Sequence, residues 1–125
     1  MSGQFRIGNL RDEPARDCLL DLNNRNAGAT SLLTPERFAL LIDLAGVALC
    51  VPPAAGLLLA FEDTDDYDGG HFLWFRSQFD RFLYIDRIVI AENCRRHGLA
   101  RMLYDEVFER ARRLGHSRIV CEVNL

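Results

Sequence analysis

Residues 93–115, NCRRHGLARMLYDEVFERARRLG, decide the fold. From 98 to 114 they read as one amphipathic helix, with Leu99, Met102, Leu103, Val107, Ala111 and Leu114 recurring at helical spacing. Arg112 and Arg113 complement the negative end of its dipole, and Gly115 supplies the stop. The turn ahead of the helix is the unusual part. Arg95, Arg96 and His97 stand before a helix N-terminus that already carries partial positive charge, which disfavours cations and favours an anion. A phosphate is the expected occupant, and a solvated basic loop is the alternative.

Working outward, FLYIDRIVI (82–90) is a dense β-branched and aromatic run, and RIVCEVN (118–124) is another. Strand, helix and strand in that order predict a right-handed crossover to a parallel neighbour. Upstream, residues 47–51 and 57–62 read as a hairpin. They lie in an uncharged stretch, 44–61, which Pro52-Pro53 and the flanking Gly46 and Gly56 break too sharply for a membrane span. Residues 5–7 are expected to form a first strand. Asp12, Glu13 and Pro14 are expected to open a helix whose apolar face is Ala15, Cys18, Leu19 and Leu22. Residues 23–31 read as a polar loop. Thr34-Pro35-Glu36 opens a second helix, with Phe38, Leu41, Ile42 and Ala45 on one face.

The 125 residues suit one domain, 1–125, with 49% hydrophobic and 26% charged residues. A net charge of −3 argues against a nucleic-acid partner, although all 15 basic residues are Arg, the residue best suited to planar phosphate recognition. Cys18, Cys50, Cys94 and Cys121 are scattered, as are the three histidines, so no metal site is expected. The N-terminus lacks an apolar signal segment, and a reducing cytoplasm with free thiols is the expected setting. The acidic stretch EDTDDYDGG (62–70) fails as a calcium loop. Placing Gly69 at the sixth position puts Thr64 first and Phe75 twelfth, where carboxylates are required, so a solvated loop is expected.

The chemistry narrows by elimination. No Lys is present for a Walker loop, and Gly98-Leu99-Ala100 supplies one glycine where a dinucleotide fingerprint needs three. What remains is Arg95-Arg96-His97-Gly98-Leu99-Ala100, the pattern Q/R-x-x-G-x-G/A between YIDRIVI and a long helix. In that register the sequence, over residues 46–125, resembles the GNAT superfamily of N-acetyltransferases.

The resemblance implies an α/β (α+β), acyl-CoA N-acyltransferase-like fold. Its sheet is mixed and mostly antiparallel, with helices on both faces. It implies that the turn cradles the pyrophosphate of coenzyme A. Backbone N–H groups around Gly98, Leu99 and Ala100 would serve, aided by Arg95, Arg96, Arg101 and, at the margin, His97. It also implies that the strands on either side of the long helix splay apart, so that the backbone of Ile88, Val89 and Ile90 pairs with the pantetheine arm. The reaction implied is acetyl transfer from acetyl-CoA to a primary amine of a small molecule or peptide. The alternative is a non-catalytic coenzyme A-binding or protein-interaction module.

A base is needed for the amine, and Asp86 and Glu122 are the candidates. Asp86 and Arg87 should point to opposite faces of their strand, and structural ion pairing is the competing role for both. Asn124 is expected either to contact substrate or cofactor or simply to end the strand, Tyr84 to pack and His116 to lie in a loop. Glu62, Asp63, Asp65, Asp66 and Asp68 suggest a cationic acceptor: a polyamine, an aminoglycoside-like compound or an N-terminal amine. The family normally continues past this last strand, so a truncated chain is expected. Ile119, Val120 and Val123 would then lie on an open edge prone to self-association.

Overall fold

The computed structural model describes residues 5–28 and 30–122. A five-stranded sheet runs in the order β1 (Gly8–Asn9), β2 (Val47–Val51), β3 (Gly56–Glu62), β4 (Leu83–Ile90) and β5 (Ile119–Cys121). Neighbours are antiparallel except β5, which lies parallel to β4. The helices are α1 (Arg16–Arg25), α2 (Pro35–Leu44), α3 (Gly70–Gln78) and α4 (Leu99–Arg113), the last forming the crossover from β4 to β5. The mixed sheet with helices on both faces is the one expected.

The central strands VALCV and GLLLAFE are buried at every position except Glu62, because both faces of the sheet are covered. On one face Leu19, Phe38, Leu41 and Phe72 of α1, α2 and α3 pack on Leu57, Leu59 and Phe61. On the other, Leu99, Leu103, Val107 and Ala111 of α4 pack on Leu49 and Leu58. Each fully buried Leu or Phe contributes about 1.5–3 kcal/mol. Thr34 starts α2 by accepting the Arg37 N–H at 3.1 Å, with Pro35 at the first position, where its missing N–H costs nothing. Residues 44–61 thus form the end of α2 and the β2–β3 hairpin. Among the described residues no helix is long and apolar enough to cross a membrane.

Several local expectations are corrected. The first strand is Gly8–Asn9, and Phe5 and Ile7 instead pack their side chains on the α4 side. α1 begins at Arg16, since Glu13 Oε2 accepts the Ala15 N–H at 2.8 Å and holds the chain in a turn. Cys18 faces solvent, and the buried face is Leu19, Leu20, Leu22 and Asn23. α1 runs on to Arg25, through residues read as loop. Met102 is half-buried and Leu114 exposed, so the stripe of α4 is narrower than its sequence suggests.

β4 carries the feature that shapes the site. Leu59 pairs with Arg87 and Ala60 with Ile85, which leaves Asp86 as an extra residue, a β-bulge. Tyr84 and Val89 lie on the α1–α3 side of the sheet, Ile85 and Ile88 on the α4 side. With one residue inserted between these alternating sets, Asp86 and Arg87 share the α1–α3 side. They do not point to opposite faces. Pairing between β4 and β5 stops at Ile85–Cys121, so the edge of β4 from Asp86 to Ile90 faces no strand on that side among the described residues.

Candidate active site

Beyond Ile90, a short turn at Glu92–Cys94 leads into the basic segment. Arg96, at φ 70°, and Gly98, at φ 75°, both adopt the left-handed conformation. Such a backbone gathers successive N–H groups into a nest suited to anions. For Arg96 the conformation costs about 1–2 kcal/mol. Gly98 caps α4 without a side-chain acceptor, and the N–H groups of Leu99, Ala100 and Arg101 find none among the described residues. A Cβ added to Gly98 would meet nothing within 4 Å, so the turn opens outward.

A cleft of about 490 Å³ lies there, lined by Ile90, Cys94, Arg95, Arg96, Gly98, Leu99, Ala100 and Arg101. Leu99 offers it backbone only, since its side chain is in the core. His97 packs against Phe5 with ring centroids 5.7 Å apart, and Arg95 Nη2 donates to Asn26 Oδ1 at 3.4 Å. Orphan N–H donors, a positive helix end and several guanidinium groups fit the chemistry of a diphosphate.

A second cleft, of about 350 Å³, opens on the α1–α3 side beside the bulge and includes Ser31, Tyr67, His71, Tyr84, Asp86, Arg87 and Glu122 in its lining. Arg87 is 6% exposed. Its Nε donates to Asp86 Oδ2 at 2.7 Å, Nη1 to Asn23 Oδ1 at 3.0 Å and to the Ser31 carbonyl at 3.3 Å, and Nη2 to Ser31 Oγ at 3.2 Å. Tyr67 donates its hydroxyl to Asp86 Oδ1 at 2.7 Å. Both carboxylate oxygens of Asp86 are therefore engaged, as a buried charge requires. Burial, with Asp86 beside each ring, pushes the Tyr67 phenol up strongly and that of Tyr84 to about 12, so both remain neutral at physiological pH. Near them, His71 Nδ1 is in close contact with Glu122 Oε2.

Tyr67, Asn23, Ser31 and His71 were not singled out by sequence reasoning. Tyr67 stacks on Phe61 at 4.0 Å, and Gly69 is glycine because a Cβ there would lie 2.6 Å from the Tyr67 ring. A lone aromatic two residues ahead of Gly69-Gly70 inside an acidic stretch is the available signal that this loop is anchored. Four of its five acids are engaged too, all but Asp66. Asp65 Oδ2 accepts the Gly46 and Glu62 N–H groups at 2.9 and 2.7 Å. Asp63 accepts the Phe82 N–H at 3.2 Å, and Asp68 pairs with Arg37. Glu62 meets His116 Nε2 at 2.9 Å, and His116 lies in the loop between α4 and β5 as expected, with its ring buried. Tyr84 packs as expected but also lines the cleft. Ile88 and Ile90 lie on the α4 side and Val89 on the other, all three on the open edge of β4. Asn124 and Val123 lie outside the described residues. No cluster of His, Cys, Asp and Glu among the described residues could hold a metal ion.

The sequence model of the Acetyltransferase (GNAT) family matches residues 31–125. No curated protein sequence matches the chain. Among solved structures it is similar to a ribosomal-protein-alanine N-acetyltransferase from Brucella melitensis biovar Abortus. The TM-score is 0.64 and the identity 19%, over 96% of this chain and 79% of that one. It is likewise similar to an aminoglycoside antibiotic 6′-N-acetyltransferase from Acinetobacter haemolyticus, with TM-score 0.67 and 16% identity over 97% and 79%. An acetyltransferase from Trypanosoma brucei gives TM-score 0.62 and 18% identity over 96% and 82%. At these identities the likeness is one of fold.

Proposed function

The chain belongs to the acetyltransferase (GNAT) family, and from that premise we propose that it transfers the acetyl group of acetyl-CoA to a primary amine. The observation that carries the reading is the turn at residues 95–101. Its unpartnered N–H groups and its arginines stand at the end of a strand edge left open. In this reading Gly98, Leu99, Ala100 and Arg101 donate backbone N–H groups to the pyrophosphate, while Arg95 and Arg96 add charge-assisted bonds from their side chains. The backbone of Ile88, Val89 and Ile90 pairs with the pantetheine arm. From Ile90 back to Asp86 is four residues, about 13 Å along a strand, and this edge leads from the turn to the cleft beside the bulge. Acetyl-CoA, when bound, supplies the thioester electrophile, and the neutral amine is made within that second cleft.

The acceptor we infer is the amine of an aminoglycoside-like compound or of a protein N-terminus; two of the solved neighbours are named for an aminoglycoside and for an alanine of a ribosomal protein. Because Glu62, Asp63, Asp65 and Asp68 are engaged within the fold, the cleft rather than the acidic loop selects it. Four free cysteines support a reducing, cytoplasmic setting. The outer edge of β5 pairs with no strand among the described residues, which supports self-association there; size-exclusion chromatography at several concentrations would register it as a concentration-dependent mass.

The test is thiol release from acetyl-CoA on adding spermidine, kanamycin or an alanine-terminated peptide. Release with any of them supports the transferase. Coenzyme A binding without release would leave the non-catalytic module as the reading.

A further inference from the structure

His71 stands where two clefts meet. It lines the polar cleft beside the bulge and also a smaller cavity of about 320 Å³ shared with Trp74, Phe75, Cys121 and Glu122. It belongs to the first turn of α3, while Glu122 directly follows β5, so the contact of His71 Nδ1 with Glu122 Oε2 joins two elements beside both clefts. That contact uses Nδ1, and Nε2 has no partner among the described residues. The contrast with Asp86 is sharp. The Asp86 side chain is 7% exposed, and its two oxygens are committed to Arg87 and Tyr67. His71 and Glu122 side chains are 65% and 44% exposed, within reach of an arriving amine.

We propose that His71 is the proton acceptor of the acetyl transfer, with Glu122 as the residue that positions it and Asp86 confined to holding Arg87 and Tyr67 in place. The inference rests on the acetyltransferase reading above. His71 Nε2 takes one proton from the acceptor ammonium, and the imidazolium so formed is stabilised by the Glu122 carboxylate. The freed nitrogen lone pair forms the C–N bond to the acetyl carbonyl carbon as the C–S bond breaks. The second proton on nitrogen leaves with the sulfur as thiol, and His71 returns its proton to solvent. The other titratable and charged groups around these two clefts are Tyr84, Asp86 and Arg87 from β4, Cys121 from β5 and Tyr67 from the loop before α3.

The experiment measures kcat and KM against pH for the full chain and for His71→Gln, His71→Ala and Glu122→Gln. Acetyl-CoA and the three amines above are the substrates, and calorimetric titration with coenzyme A is run on each protein. Expected are a loss in kcat of about 10²–10⁴-fold in both His71 variants, an unchanged coenzyme A affinity and disappearance of the ascending acid limb of kcat/KM. Exogenous imidazole should restore turnover to His71→Ala, which a merely structural role would not permit. Glu122→Gln should lose less and keep a displaced limb. If wild type releases thiol and His71→Gln keeps its kcat and its acid limb, the assignment of His71 is overturned while the acetyltransferase reading stands. If wild type neither binds coenzyme A nor releases thiol, that reading falls and this inference with it.

Discussion

Arg87 and Asp86 are consecutive residues of one strand, yet Arg87 Nε donates to Asp86 Oδ2 at 2.7 Å. A regular strand would send the two side chains to opposite faces. The bulge opposite Leu59 and Ala60 puts them on the same side, where the pair is nearly fully buried and satisfied by Asn23, Ser31 and Tyr67. Two charges at the centre of the sheet thereby become a rigid polar wall of the cleft.

Removing one partner should be far worse than removing both. Arg87→Met leaves the Asp86 carboxylate buried without its cation and should cost about 3–5 kcal/mol in urea unfolding. The double variant Asp86→Leu/Arg87→Met should recover much of that loss. An Arg87→Met change within the range of an ordinary surface substitution would contradict the buried-pair account.

Tyr67→Phe keeps the stacking on Phe61 but deletes the hydroxyl bonded to Asp86. A bond to a charged group is worth about 1.5–3 kcal/mol, and urea unfolding should register a loss on that scale.

The turn trades stability for binding. Arg96→Gly removes the strain of a left-handed non-glycine residue and should raise the unfolding midpoint, by up to about 1 kcal/mol of stability. It also deletes a guanidinium from the cleft, so coenzyme A affinity should fall about 5–30-fold. A thermal melt and a calorimetric titration of the same variant check both directions.

The acid range offers a separate test at Asp65. Burial, the largest cause, raises its carboxyl above 3.8 in the folded protein despite two backbone N–H bonds that act the other way. A raised folded value means that the stability associated with protonation is complete below the unfolded value and is lost as pH rises through the folded one. Asp65→Asn keeps an oxygen for both N–H groups and does not titrate. Relative to wild type, it should therefore gain stability as pH rises from about 3 toward neutrality. A difference that is flat or runs the other way would contradict the burial of Asp65.

Strand 82–90, the basic turn and α4 were legible because hydrophobic period, turn chemistry and helix stop agreed over residues 82–115. α3 was not. HFLWF is apolar at nearly every position and has no side-chain cap, so no helical period stands out, and in the structure only Phe72 of that helix is fully buried. The bulge was equally hidden, since no glycine marks it in LYIDRIVI. With α3 unseen, His71 could not be placed beside Glu122, and the cleft had no second wall. Only strand residues therefore stand out in the sequence as candidate bases.

The most direct test of the central claim is calorimetric titration of coenzyme A into wild type and Gly98→Glu side by side. The account predicts binding by wild type that weakens as salt is raised, and none by Gly98→Glu, whose carboxylate would project into the open space before the N–H groups of Leu99, Ala100 and Arg101. Equal affinity in the two proteins, or no binding by wild type at millimolar coenzyme A, would contradict it.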